Sequence, residues 1–217
     1  MPGSARNHHP NPVAESEKFA VLLVEDDAAL RGYLGGALAD AGFAIQLAHD
    51  RASASACLAL PTAPAIVVLD LGLPPHPSTM REGLLTLQDI LRLQPGTKVI
   101  VLTGQDEAAA AQEAVRQGAF DFLSKPAPMA VVLQAVQRAS LFAREEARMV
   151  LRGEARIAVT ARLGDGPKEA GAQAEEQLLR RSLAAAGYNV TLAARNLGIA
   201  REHVYYYMNK YGIQRPQ

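Results

Sequence analysis

Between residues 19 and 148 of this chain, short apolar runs alternate with amphipathic stretches. The runs at 19–24, 66–69 and 98–102 are β-branched, four to six residues long and flanked by polar or turn residues, as buried parallel strands are. Two weaker runs, 44–48 and 120–123, carry more polar positions. Residues 28–41, 52–60, 83–93, 106–117 and 129 to about 148 instead space their apolar residues at helical intervals. Five strands, each followed by a helix, predict a doubly wound α/β domain around a five-stranded parallel sheet.

Beyond 143 the pattern changes. Arg144, Arg148, Arg152 and Arg156 recur every fourth position, as on the solvated face of a helix that prolongs the fifth one. Gly164-Asp165-Gly166-Pro167 and Gly171 then interrupt it, and the alternation Ile157-Ala158-Val159-Thr160 also fits a short strand. From Ala174 three short helices are expected, at 175–186, 191–197 and 201–210, an all-α helix-turn-helix arrangement. Residues 1–18 are polar and rich in Pro and Gly and read as a disordered tail. The division is therefore tail 1–18, α/β domain 19–143, linker 144–173 and helical domain 174–217.

Charge sharpens this division. The whole chain balances 22 basic against 22 acidic residues, yet residues 1–143 carry net −4 and residues 144–217 net +4. A basic C-terminal part suits a polyanionic partner. Apolar runs of about five residues exclude a membrane span, and the polar start gives no sign of a signal peptide. The single Cys57, expected in the core of the second helix, excludes an internal disulfide framework. A cytoplasmic location is the expectation.

In a doubly wound sheet, ligands bind at the carboxyl ends of the strands. Glu25, Asp26 and Asp27 follow the first strand, Asp70 ends the third, Thr103 the fourth, and Lys125-Pro126 the fifth. An acidic turn at one strand end is ordinarily a helix cap. Acids at two strand ends facing a lysine at a third imply a bound cation, because burying unpaired like charges is costly. His8, His9, His49 and His76 lack such partners and read as surface residues.

The segments Leu22-Leu23-Val24-Glu25-Asp26-Asp27, Val68-Leu69-Asp70-Leu71-Gly72-Leu73-Pro74, Val101-Leu102-Thr103-Gly104 and Phe122-Leu123-Ser124-Lys125-Pro126 resemble the receiver domain of two-component response regulators, a flavodoxin-like fold. The resemblance implies that Asp70 accepts a phosphoryl group from a sensor histidine kinase. It implies that Asp26, Asp70 and the backbone of Gly72 bind Mg²⁺, with Glu25 acting through a bound water. Lys125 would pair with the phosphoryl group, and Thr103 and Phe122 would form a switch pair. Lacking a hydroxyl, Phe122 is expected to prefer burial. General chemistry agrees: a carboxylate can attack phosphorus, and the transfer needs mainly positioning and charge neutralisation.

One departure is the segment Pro74-Pro75-His76-Pro77-Ser78-Thr79-Met80-Arg81-Glu82, longer than the usual turn before Gly83. It is similar to the loop of receivers in exopolysaccharide and PEP-CTERM-associated regulators. Those carry a central ATPase module, for which this chain has neither room nor a Gly-Lys-Ser/Thr motif.

The motifs Glu176-Gln177-Leu178-Leu179, Gly187-Tyr188-Asn189, Ala193-Ala194-Arg195-Asn196-Leu197-Gly198-Ile199 and Lys210-Tyr211-Gly212-Ile213 resemble the Fis-type helix-turn-helix. That resemblance implies a homodimer placing helix 201–210 in the major groove of palindromic DNA half-sites. Candidate DNA contacts are Arg195, Arg201, His203, Tyr206, Tyr207 and Lys210, with Arg180 and Arg181 as further phosphate contacts. Val204, Met208 and Tyr211 read as core, and Ala200 is a weak helix cap. The departure here is Tyr205-Tyr206-Tyr207, where the family carries basic residues; tyrosine releases no counterion.

The reading is a phosphorylation-activated transcription regulator rather than an enzyme, with only slow self-dephosphorylation expected. The mid-helix tyrosines support an alternative, a phosphorylation-dependent interaction or dimerisation protein whose tail does not bind DNA. A phosphatase using Asp26 and Asp70 fits poorly. Haloacid-type phosphatases place nucleophile and acid two residues apart on one strand end, and here they lie 44 apart.

Overall fold

The computed structural model describes residues 19–60, 63–104, 108–161, 164 and 166–214. The N-terminal tail lies outside the described residues. Five strands, β1 (Ala20–Val24), β2 (Ala44–Ala48), β3 (Ile66–Asp70), β4 (Lys98–Thr103) and β5 (Asp121–Ser124), form one sheet in the order β2-β1-β3-β4-β5. All pairings are parallel. The intervening helices are α1 (Ala28–Asp40), α2 (Arg51–Leu58), α3 (Arg81–Leu93), α4 (Ala108–Gln117) and α5 (Met129–Leu151).

Side chains alternate across a strand, so each central strand feeds two cores. Leu22, Val24, Val67, Leu69, Val99 and Val101 meet Ala54 and Leu58 of α2, Leu87 and Ile90 of α3, and Ala114 of α4. Val21, Leu23, Ile66, Val68, Ile100 and Leu102 meet Leu34 and Leu38 of α1 and Val132, Ala135, Val136 and Ala139 of α5. β3 and β4 are buried throughout, which is why they read as unbroken apolar runs. β2 and β5 are the sheet's edges and are half-exposed, which explains their weaker signal.

Close approach fixes one glycine. A Cβ on Gly83, in the first turn of α3, would lie 2.3 Å from the Leu71 Cα and 2.5 Å from its carbonyl oxygen.

The helical module comprises α6 (Gly166–Ala185), α7 (Val190–Leu197) and α8 (Arg201–Lys210). Its core joins Leu179, Leu183, Ala186, Val190, Ala193, Ala194, Val204, Met208 and Ile213 and shares no residue with the sheet's cores. Asn189 caps α7 by accepting from the Leu192 N–H at 3.1 Å, and Gly198 ends it in the left-handed conformation at φ 66°. Ala200 makes no side-chain cap to α8, as its chemistry requires.

Three expectations for the connection are corrected. The helix carrying the arginine stripe ends at Leu151, so Arg152 is its cap and Arg156 lies beyond it. The segment around Ile157-Ala158-Val159-Thr160 is not a strand. Helix resumes at Gly166, eight residues before Ala174. Pro167 falls in the first turn, where a missing N–H costs nothing, and the interior Gly171 costs only about 1 kcal/mol against alanine.

Candidate functional site

The parallel sheet brings the ends of β1, β3, β4 and β5 to one rim. Carboxylate oxygens of Glu25, Asp26 and Asp70 lie within 4.8 Å of one another. The Lys125 ammonium, from the residue after β5, sits 2.8 Å from Glu25 Oε2 and 2.9 Å from Asp70 Oδ2. Lys125 precedes a cis peptide bond to Pro126. The Gly72 N–H donates to Asp70 Oδ1 at 3.1 Å. Across from it, the Pro77 carbonyl of the extended loop lies 3.1 Å from where a Cβ on Gly72 would stand. The loop therefore folds back over the site and leaves no room for a side chain there.

The electrostatics are those of an over-acidic pocket. Burial, and then the charge of Asp70, push the Glu25 carboxyl above the ordinary range despite its hydrogen bond to Lys125. For Lys125, burial acts downward, but hydrogen bonds to Glu25 and Asp70 outweigh it and hold the ammonium above its ordinary range. One lysine faces three acids, so the cluster retains negative charge. Hard carboxylate oxygens in a small, part-buried group fit Mg²⁺. The third acid of the turn is used structurally: Asp27 caps α1, accepting from the Ala29 and Leu30 N–H groups at 2.8 Å each. Those bonds hold its carboxyl below the ordinary range.

A residue not anticipated from the pattern is Arg31. Its Nη1 donates to the carbonyls of Glu25 at 2.6 Å and Asp26 at 3.1 Å, pinning the acidic turn from α1. A basic residue one turn into the helix after an acidic strand end was the available signal.

Thr103 is buried at the end of β4, while Phe122 stands 45 % exposed on β5. The expectation of burial for Phe122 is thus corrected. β5 is an edge strand whose alternate positions face outward, and Leu123 takes the inward one. Cys57 is half-buried against the core. His49 and His76 are exposed.

The sequence profile of the response regulator receiver domain matches residues 21–137, more than half of the chain. This chain belongs to the response regulator receiver family. The profile of bacterial regulatory proteins of the Fis family matches residues 172–211. Over 108 residues the chain is 36 % identical to the photosynthetic apparatus regulatory protein RegA of Rhodobacter capsulatus, covering 50 % of this chain and 55 % of RegA. Over 123 residues it is 32 % identical to the DNA-binding transcriptional regulator NtrC of Escherichia coli K12, covering 57 % of this chain and 25 % of NtrC. These matches therefore span about half or less of the relatives' length. The crystal structure of the receiver domain of NtrX from Brucella abortus superposes with a TM-score of 0.51 at 31 % identity, over 55 % of this chain and 96 % of that one. No helix among the described residues is long and apolar enough to cross a membrane.

Behind the receiver, α8 exposes Arg201, His203, Tyr205 and Tyr206, and Arg195 is exposed on α7. Val204 and Met208 are core, as expected. Tyr207 and Lys210 are engaged within the module. Lys210 Nζ lies 2.6 Å from Glu175 of α6 and over the rings of Tyr207 and Tyr211, and the Tyr211 hydroxyl donates to the same carboxylate. Hydrogen bonds from Lys210 and Tyr211 hold Glu175 below its ordinary range. Arg180 pairs with Glu176 at 2.7 Å and donates to the Tyr211 carbonyl. Arg181 turns toward the receiver. These two arginines are therefore not the free phosphate contacts their position in the sequence suggested.

Proposed function

We propose that this chain is the cytoplasmic response regulator of a two-component system, in which phosphorylation of Asp70 controls DNA binding by the helical module. The observation that carries the reading is the Asp70 carboxylate, held by Lys125 at 2.9 Å beside two further acids. An Asp70 oxygen attacks the phosphorus of a phosphohistidine donor, the bond to the donor imidazole breaks, and an acyl phosphate forms. Lys125 neutralises one phosphoryl oxygen, and the Gly72 N–H fixes the attacking carboxylate. Asp26 and Asp70, with the Gly72 backbone and Glu25 through water, would hold Mg²⁺. The ion would supply the remaining neutralisation of phosphoryl charge.

The doubly charged product draws the Thr103 hydroxyl toward it, and Phe122 fills the space vacated. Phosphorylation is a switching event here rather than turnover on a substrate. The receiver is taken as residues 19–143, the linker as 144–173 and the DNA-binding domain as 174–217. A homodimer presents two copies of α8 to successive major grooves of a palindromic site. Arg195 and Arg201 neutralise phosphates, and His203, Tyr206 and Tyr207 line the groove. Lys210 joins them once DNA competes with Glu175.

A second reading has one observation in its favour: Lys210 is already neutralised within the module. In that reading the module contacts protein rather than DNA. Binding of the full-length chain to its own upstream DNA across a salt series, with and without beryllofluoride, separates the two. A steep salt slope that Arg195→Ala/Arg201→Ala flattens is expected, with affinity changed by beryllofluoride in the wild type and not in Asp70→Asn. Weak, salt-insensitive binding in every state would leave the protein-contact reading.

A further inference from the structure

At the base of the sheet, opposite the acidic rim, one carboxylate gathers three cations from three parts of the chain. Glu146 of α5 lies 2.7 Å from Lys98 Nζ at the start of β4, 3.4 Å from Arg181 Nη1 of α6 and 3.7 Å from Arg156 Nη1 of the connecting segment. The Lys98 and Glu146 side chains are only 8 % and 13 % exposed, so this is a desolvated ion pair. Arg181 also donates from Nη2 to the Pro95 carbonyl at 3.2 Å, in the loop that leads into β4. A cleft of about 500 Å³ separates the receiver base from the helical module here, with Pro64, Pro95, Val150 and Leu178 among its lining.

Lys98 and Glu146 both belong to the receiver and its long helix. Arg181 is the side chain that carries the ionic contact across to the three-helix module. The contact is finely balanced. The two units share no core cluster, the Arg181–Glu146 distance is long, and Arg181 Nε is buried with no hydrogen-bond partner among the described residues. A desolvated, unsatisfied donor disfavours the docked arrangement. A contact with opposing contributions of this kind can be tipped by a modest input.

The input has a short path. β4 runs from Lys98 at this cluster to Thr103 at the acidic rim, and it is buried along its whole length. A second path runs through α5. Phe142, one turn before Glu146, stacks edge-on against Phe120 at 5.2 Å, two residues before Phe122.

We propose that Arg181 is a releasable latch holding the helical module on the base of the receiver, and that β4 and the Phe120–Phe142 contact couple its release to the state of Asp70. The coupling rests on the reading of Asp70 as the phosphoryl acceptor; the latch itself does not.

Hydrogen exchange of the full chain tests both parts. Arg181→Gln, with Arg181→Met as a second variant that keeps the apolar stem, is compared with wild type and with Arg148→Gln, whose exposed partner is Glu145. Amides of Gln94, Gly96 and Thr97 are expected to exchange at least about tenfold faster in both Arg181 variants and unchanged in Arg148→Gln. X-ray scattering should show a larger radius of gyration in the same two variants. Wild-type exchange and radius in both would overturn the latch. Mg²⁺ with beryllofluoride should then speed the same amides in wild type and not in Asp70→Asn. If beryllofluoride protects the Gly72 amide yet leaves residues 94–97 untouched, the coupling is wrong. If it protects nothing near Asp70, the reading of the phosphoryl site fails, and the Arg181 variants alone decide the latch.

Discussion

At Gly83 no side-chain atom can be added without displacing the backbone of Leu71, which lies 2.3 Å from the Cβ position. Neither neighbour is a flexible side-chain end, so α3 or the loop after β3 must move. Gly83→Ala should destabilise the receiver by about 1–3 kcal/mol or more, read as a lower urea midpoint at unchanged slope. The displaced loop carries Gly72 and Leu71, so phosphoryl acceptance at Asp70 should fall in the same variant. Arg31 is the other residue whose importance is geometric. Its guanidinium holds the carbonyls of both Glu25 and Asp26. Arg31→Ala should weaken Mg²⁺ binding by about tenfold with little change in melting temperature, and Arg31→Lys should restore part of it; calorimetric titration of Mg²⁺ reads this directly.

Among the elements, α2 is short and depends on its cap. Asp50 and Ser53 form a reciprocal box: the Asp50 carboxylate accepts from the Ser53 N–H at 2.7 Å, and the Ser53 hydroxyl accepts from the Asp50 N–H at 3.2 Å. Hydrogen bonds from the Ser53 hydroxyl and N–H hold the Asp50 carboxyl below its ordinary range. A depressed carboxyl contributes stability above its unfolded value and loses it as pH falls through the folded one. Asp50→Ala should cost about 1 kcal/mol at neutral pH, and the gap to wild type should close on acidification below the ordinary Asp range.

In α8 the element's own charge is masked. Glu175 of α6 binds Lys210 at 2.6 Å, so this lysine begins neutralised. Glu175→Ala should raise DNA affinity at low salt and steepen the salt slope by about one unit, as expected for one more phosphate contact. An unchanged slope would place Lys210 off the DNA.

For the whole molecule, the acidic rim is a site where like charges are kept together for a ligand at the expense of stability. Mg²⁺ should therefore raise the receiver's melting temperature. At a hundred times the dissociation constant the gain is about 2.7 kcal/mol, or roughly 5–10 °C for a chain of this size. Calorimetric scans of wild type and Asp26→Asn with and without the ion check this. The gain should be lost in the variant.

Much of this molecule was legible along the chain because its signals are local or periodic. Two-residue alternation and short apolar runs mark buried strands, helical spacing marks the covering layers, and acids or a lysine at strand ends mark the rim. Parallel topology alone then brings Glu25, Asp26, Asp70, Thr103 and Lys125 together. The motifs at 187–189 and 193–199 mark the turns of the helical module in the same local way.

What tertiary structure decided concerns partners distant in sequence. Phe122 is exposed because β5 is an edge, a property of strand order and not of the Phe122 segment. α6 begins at Gly166 because a proline in a first turn and one interior glycine are tolerable once Leu179 and Leu183 gain a core to bury against. Lys210 and Arg181 read as equivalent surface cations. Folding gives one to Glu175 and the other to Glu146 and the Pro95 carbonyl. Composition fixes how many charges a chain carries; only the packing of separate elements fixes which of them meet, because Coulombic and hydrogen-bond energies depend on distances that no sequence interval encodes.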